Sequence, residues 1–206
     1  MLVKICGITC EADAHLACEA GASALGYNFY PKSPRYVSPN RAAEIVKSTG
    51  PGYLRVGVFV NPRVADLSEA LERVPLDIVQ LHGRQLPQLP PHIRIWRAIA
   101  PASAPPESHM QPEAYLLDTP SHHFGGSGLT FSWSLAAGFP ARAIIAGGLD
   151  HTNVAEAIRI AKPWGVDACS RLETLPGRKD PARVRAFVTT ALESFKALAE
   201  AIGVTE

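Results

Sequence analysis

Eight short apolar runs recur along the chain, each bounded by turn-forming residues: 2–6 (LVKIC), 23–29 (SALGYNF), 54–60 (LRVGVFV), 77–81 (DIVQL), 93–99 (IRIWRAI), 114–118 (AYLLD), 142–146 (RAIIA) and 164–169 (WGVDAC). Several are nearly continuous in Val, Ile, Leu and Ala, as parallel strands covered on both faces are, and lack the strict alternation of half-exposed antiparallel strands. Parallel pairing requires crossovers. The intervening stretches read as helices at 11–20, 40–48, 63–73, a short one at 85–89, one at 132–138, and further ones at 151–161 and 181–202. The last is the clearest. Asp180 is a good N-cap, Pro181 suits the first helical turn, and Val184, Phe187, Val188, Ala191, Leu192, Phe195 and Leu198 make one apolar stripe. Between the fifth and sixth runs, residues 101–113 hold four prolines. A strict repeat would put a helix there, but the prolines predict a fifth helix that is short or replaced by a Pro-rich loop.

Eight strands alternating with helices predict an α/β fold, a (β/α)8 TIM barrel, where a doubly wound sheet would more often have five or six strands. At 206 residues the chain has the length of one domain, so 1–206 is expected to form a single barrel. Hydrophobic residues at 47% against 19% charged give the balance of a chain that folds on its own. Twenty basic and nineteen acidic residues leave a formal charge of +1, so no overall field favours nucleic acid or an anionic membrane, and any anion must be bound locally. The N-terminal MLVKICGIT lacks the pattern of a signal peptide and no apolar run has the length of a membrane span, so a cytoplasmic location is expected. Monomer is the default for oligomeric state. Cys6, Cys10, Cys18 and Cys169 show neither disulfide-scaffold spacing nor paired C-x2-C metal spacing and read as reduced thiols, Cys18 as helix core.

In such a barrel the active site forms at the C-terminal strand ends. Because side chains alternate along a strand, Lys4 and Cys6 share a face, as do Gln80 and His82, and Asp167 and Cys169; Arg97 and Asp118 stand near the ends of theirs. One by one these residues could simply satisfy each other in the interior; together they predict a polar barrel mouth. Cys6 precedes Gly7, which lets the chain turn away and leaves the sulfur beneath a ligand. If Lys4 reaches it, the thiol falls from its reference of ~8.5 toward a competent base. Asp118 ends an otherwise apolar strand, surroundings that favour a protonated carboxyl and so an acid. Phosphate binding is expected at the loops after strands seven and eight, where Gly147, Gly148 and Ser170 lie, with a further glycine-rich segment at 124–128. Plain turn formation also accounts for glycine pairs. Arg35, in the loop after strand two, suits a substrate carboxylate through its two-pronged guanidinium, although a solvated loop arginine is the bland alternative.

Taken in order, VKICGIT, GYNFYPKSPRYV, VGVFVN, VQLHG, LLDT, GGSGLTFSW, AGGLDHTNV and LETLPGRKD resemble the phosphoribosylanthranilate isomerase family over nearly the whole length. The resemblance implies an Amadori rearrangement in tryptophan biosynthesis with no cofactor and no metal. Asp118 would protonate the furanose ring oxygen, the Cys6 thiolate would remove the C2′ proton, and Arg35 would hold the anthranilate carboxylate. It adds a phosphorylated small molecule as partner, with Gln80, His82 and Asp167 lining its site and Gly147, Gly148, Ser170 and Arg171 around the phosphate. Two departures stand out. The usual Ser-Gly after strand eight reads Ser170-Arg171, which either strains the loop or brings a compensating charge to the phosphate. The usual Phe-Asp-Trp reads Phe131-Ser132-Trp133, where serine can still cap a helix. Two alternatives remain: a related barrel isomerase of histidine biosynthesis, against which Cys6 argues because that type is similar in carrying aspartate there, and a barrel that binds a phosphometabolite without turnover.

Overall fold

The computed structural model describes residues 1–83, 89–105, 111–118 and 130–203. Strands β1 (Leu2–Cys6), β2 (Ala24–Asn28), β3 (Leu54–Val60), β4 (Ile78–His82), β5 (Arg94–Ile99), β6 (Ala114–Leu117), β7 (Ala143–Ile145) and β8 (Gly165–Ala168) pair in parallel and in chain order, and β8 pairs with β1 to close a barrel. Each strand falls within a residue of its apolar run. Helices α1 (Glu11–Glu19), α2 (Pro39–Thr49), α3 (Val64–Arg73), α4 (Val154–Ala161) and α5 (Pro181–Ala201) occupy the crossovers and the C-terminal end. Their buried faces meet the outward side chains of the strands in the larger apolar core, which includes Ile5, Leu25, Tyr27, Ile45, Phe59 and Phe187.

Several expectations shift in detail. The 151–161 helix begins only at Val154, because Asn153 Oδ1 accepts the Asp150 amide and Asp150 Oδ1 the Thr152 amide, holding that stretch in a turn. The 132–138 stretch is a short 3₁₀ turn, Trp133–Ala136. Ser132 does not cap it: its hydroxyl meets Ser134 Oγ at 2.8 Å. On α5, Leu192 is 41% exposed and lies at the margin of the stripe. The 85–89 helix falls, save for Leu89, outside the described residues, and so do 106–110; the described parts of 101–113 hold no helix. One element was not foreseen: β9 (Glu173–Leu175) and β10 (Arg178–Lys179) form an antiparallel hairpin after β8.

Strand pleating sorts the barrel interior into two levels. Leu2, Ala24, Val56, Ile78, Trp96, Ala114 and Ile144 fill the lower part as a separate apolar core. Two or four residues further along the same faces come Lys4 and Cys6, Gln80 and His82, Asp118, and Asp167 and Cys169. The apolar floor and polar mouth therefore follow from one alternation read along each strand. Arg97 breaks the expectation. It faces the Tyr115 side of β5, one residue out of phase with the interior Trp96, and its Nη2 donates to Gly83 O.

Candidate active site

At the C-terminal ends of the strands lies a cavity of about 590 Å³ whose wall includes Cys6, Asn28, Gln80, His82, Asp118, Asp167 and Cys169. The loop after β2 adds Arg35, and the loops after β7 and β8 add Gly147, Gly148, Ser170 and Arg171. All ten site residues expected from the sequence thus border one space, and Arg97, on the other side of β5, is not among its lining. The 124–128 glycines lie outside the described residues.

Register partners Lys4 and Asp167 form a buried ion pair, Nζ to Oδ1 at 2.8 Å. Burial opposes the Lys4 charge, but Asp167 and then Cys6 outweigh it and keep the ammonium charged. Burial pushes the Asp167 carboxyl up to about 7 against the pull of Lys4, and the Cys6 and Asp118 charges add to the rise. Lys4 bears on Cys6 as expected, yet it is not the main influence. The neighbouring Cys169 thiol does most to hold the Cys6 thiol well below its ordinary value; burial opposes this, and the Lys4 and Lys179 charges help. The same pairing and burial push Cys169 well up, and its Sγ points a proton at Glu173 Oε1, 3.8 Å away, so the proton shared by the two thiols rests on Cys169 and the charge on Cys6.

Burial, with the Lys4 and Arg97 charges adding, holds His82 down to about 4, a neutral imidazole. Gln80 Nε2 and His82 Nε2 are 2.9 Å apart, which makes the ring nitrogen the acceptor and leaves its proton on Nδ1. Gln80 Oε1 is buried without a partner among the described residues. Asp118, one residue past β6, is half-buried; its amide donates to Ile99 O.

Arg35 is no solvated loop cation. Its Nε and Nη2 donate to both carboxylate oxygens of Glu173, at 2.8 to 3.1 Å. Lys179 Nζ donates to Glu173 Oε1 at 2.9 Å and to Cys169 O at 3.3 Å, and lies 3.8 Å from Cys169 Sγ. Glu173 and Lys179 both come from the unforeseen hairpin. The signal for it was present in Pro176-Gly177, a turn pair with Gly177 at φ 80°.

Gly147 and Gly148 both take positive φ, 84° and 61°, a conformation that reserves these positions for glycine. Among the described residues their amides donate to no acceptor. Arg171 does not strain the loop: it sits in a 3₁₀ turn, Ser170–Leu172, outside the positive-φ residues, and its Nε donates to Asp150 Oδ2 at 2.8 Å. Among the described residues no three His, Cys, Asp or Glu side chains converge in a way that could hold a metal ion.

The family model described as N-(5'phosphoribosyl)anthranilate (PRA) isomerase matches residues 3–190. An N-(5'-phosphoribosyl)anthranilate isomerase from Solibacter usitatus is 47% identical over 93% of this chain and 97% of its own length. Among solved structures, the phosphoribosyl anthranilate isomerase of Thermus thermophilus superposes with a TM-score of 0.81 at 30% identity, covering 94% of this chain and 99% of that one. Another isomerase of this name, solved in complex with reduced 1-(o-carboxyphenylamino)-1-deoxyribulose 5-phosphate, has a TM-score of 0.75 at 33% identity, over 94% of this chain and all of that one.

Proposed function

This chain belongs to the N-(5'-phosphoribosyl)anthranilate isomerase family, and from that premise we propose that Cys6 is the base and Asp118 the acid of its proton transfers. The protein carries out the isomerase step of tryptophan biosynthesis, turning N-(5'-phosphoribosyl)anthranilate into 1-(2-carboxyphenylamino)-1-deoxyribulose 5-phosphate. In this reading Asp118 gives a proton to the furanose ring oxygen, the ring opens to a Schiff base, and the Cys6 thiolate takes the C2′ proton to leave an enolamine that tautomerises to the ketone.

The observation that supports it most is the lowered Cys6 thiol in the cavity that Asp118 also borders. A thiol lowered in this way gives up its proton more readily than a free cysteine and so serves as the base. Arg35, braced by Glu173, offers its remaining donors to the anthranilate carboxylate, and Gln80 Oε1 accepts from a substrate hydroxyl. The amides of Gly147 and Gly148 with Ser170 take the phosphate. Arg171, tied to Asp150 by Nε, adds charge at the rim. Asp167 borders the substrate cavity and, through its salt bridge, also holds Lys4 beside Cys6. The protein works as a monomer in the cytoplasm.

The test is turnover of freshly prepared phosphoribosylanthranilate, followed as loss of anthranilate fluorescence. Cys6→Ala and Asp118→Asn are each expected to lose ~10²- to 10⁴-fold in kcat while still binding the reduced product analogue. A variant that keeps wild-type rates removes its residue from the mechanism.

A further inference from the structure

Lys4 and Asp167 face each other across the β1–β8 seam, and Ile5 and Ala168 are the next register pair. Cys6 and Cys169 come one step further along each chain, Cys6 as the last residue of β1 and Cys169 just past the end of β8. The Lys4–Asp167 ion pair shows that this parity points into the barrel on both strands, and both cysteines border the same cavity. Neighbouring strands run roughly 4.8 Å apart, within the Cα separation of about 4.4 to 6.8 Å that a disulfide spans. Two glycines leave room for the sulfurs: a Cβ on Gly26 would fall 2.8 Å from Cys6 Sγ, and one on Gly7 2.9 Å from Cys169 Sγ. Both thiols are free. The proton transfers use only one of them.

We propose that Cys6 and Cys169 are a reversible oxidation site that takes a small hydroperoxide, forming a disulfide across the β1–β8 seam. The thiolate sulfur of Cys6 attacks the peroxide, the O–O bond breaks, the sulfur gains one oxygen as a sulfenic acid, and the departing alkoxide or hydroxide picks up a proton. The Cys169 sulfur then attacks the sulfenyl sulfur. The S–S bond forms as the S–O bond breaks, and the hydroxide leaves with the Cys169 proton as water. Overall, two thiols are oxidised and one peroxide is reduced to an alcohol, or water, plus water. Lys179 Nζ, 3.8 Å from Cys169 Sγ, steadies the negative charge that grows on this sulfur as its proton passes to the leaving hydroxide. The bond ties up the sulfur before it reaches the sulfinic state, from which reducing thiols do not recover it. The effect on activity rests on Cys6 being the base; formation of the bond does not.

The experiment treats the reduced full chain with a few equivalents of hydrogen peroxide, then with dithiothreitol, reading intact mass, disulfide-linked peptides and isomerase activity. The wild type is expected to lose two hydrogen masses, to yield a peptide linking Cys6 to Cys169, to lose activity in parallel, and to regain it on reduction. Cys10→Ser is expected to behave as the wild type. Cys169→Ser, scored against its own untreated activity, is expected to gain oxygen mass at Cys6 and to recover a fraction about fivefold smaller. Absence of the linked peptide, a link from Cys6 to Cys10 in its place, or full recovery in Cys169→Ser overturns the proposal. A linked peptide with undiminished activity upholds the disulfide and overturns Cys6 as the base.

Discussion

Gly26 on β2 shows how little space separates the working groups. A Cβ there would meet Cys6 Sγ at 2.8 Å, Cys6 Cα at 3.1 Å and Lys4 Cε at 3.1 Å, so even a methyl group must displace the sulfur, the ammonium or the strand. Gly26→Ala is expected to lower kcat on the order of 10- to 100-fold with a small change in KM, because it misplaces the base more than it alters binding. Steady-state kinetics beside an unchanged far-ultraviolet dichroism spectrum check this, and wild-type kcat refutes it. His82 makes a second prediction, in stability. Its folded value of about 4 lies below the 6.5 of the unfolded chain. The unfolded state therefore takes up the proton first as pH falls. The stabilisation is whole above pH 6.5, is lost between there and about pH 4, and changes no further once both states are protonated. The loss amounts to roughly 3 kcal/mol. Urea unfolding across this range should show a steep acid limb that His82→Gln flattens, and equal limbs would place the acid sensitivity on other groups.

Helix α5 and the β9–β10 hairpin stand side by side in sequence, yet only the helix was legible. Asp180 Oδ1 accepts from the amides of Ala182 and Arg183, so the cap visible in the sequence does the work assigned to it. Asp180→Ala is expected to cost about 1 kcal/mol in urea unfolding with activity kept, and a cost near zero would show that tertiary packing alone holds the helix start. Twenty-one residues with a periodic apolar face carry a strong signal; strands of three and two residues have no period to read. The hairpin's Glu173 and Lys179 therefore went unseen, and with them the anchoring of Arg35 and the second cation near Cys169. Individual site residues were legible wherever strand alternation set their facing, as for Cys6, Gln80, His82 and Asp167. Arg97, one residue out of phase, was misread because nearness to a strand end says nothing about side. The Cys6–Cys169 contact depends on β8 returning to β1, a neighbour relation that appears only once the barrel closes.

That closure divides the molecule into a part that holds and a part that reacts. Interior residues near the strand starts, with Trp96 fully buried among them, form the apolar floor, and the outer core joins the strands to α1, α2 and α5. The polar groups gather at the opposite end. Phe187 belongs wholly to the holding part: it is fully buried on α5, which packs on α1, α4 and β1 beside the β1–β8 seam. Phe187→Ala removes its contacts and leaves a cavity, at an expected cost of about 3–5 kcal/mol. Against a total of roughly 5–15 kcal/mol for a domain, that is enough to lower the midpoint of unfolding sharply. Phe187 borders no part of the cavity, so the molecules that remain folded should turn over substrate with wild-type kcat. Gly26→Ala should show the reverse, lost turnover with a much smaller loss of stability. Thermal unfolding and kcat per folded molecule, measured on both variants well below their midpoints, decide the matter. If Phe187→Ala lowers kcat in its folded fraction as much as Gly26→Ala does, the seam and the mouth are mechanically coupled and the division fails.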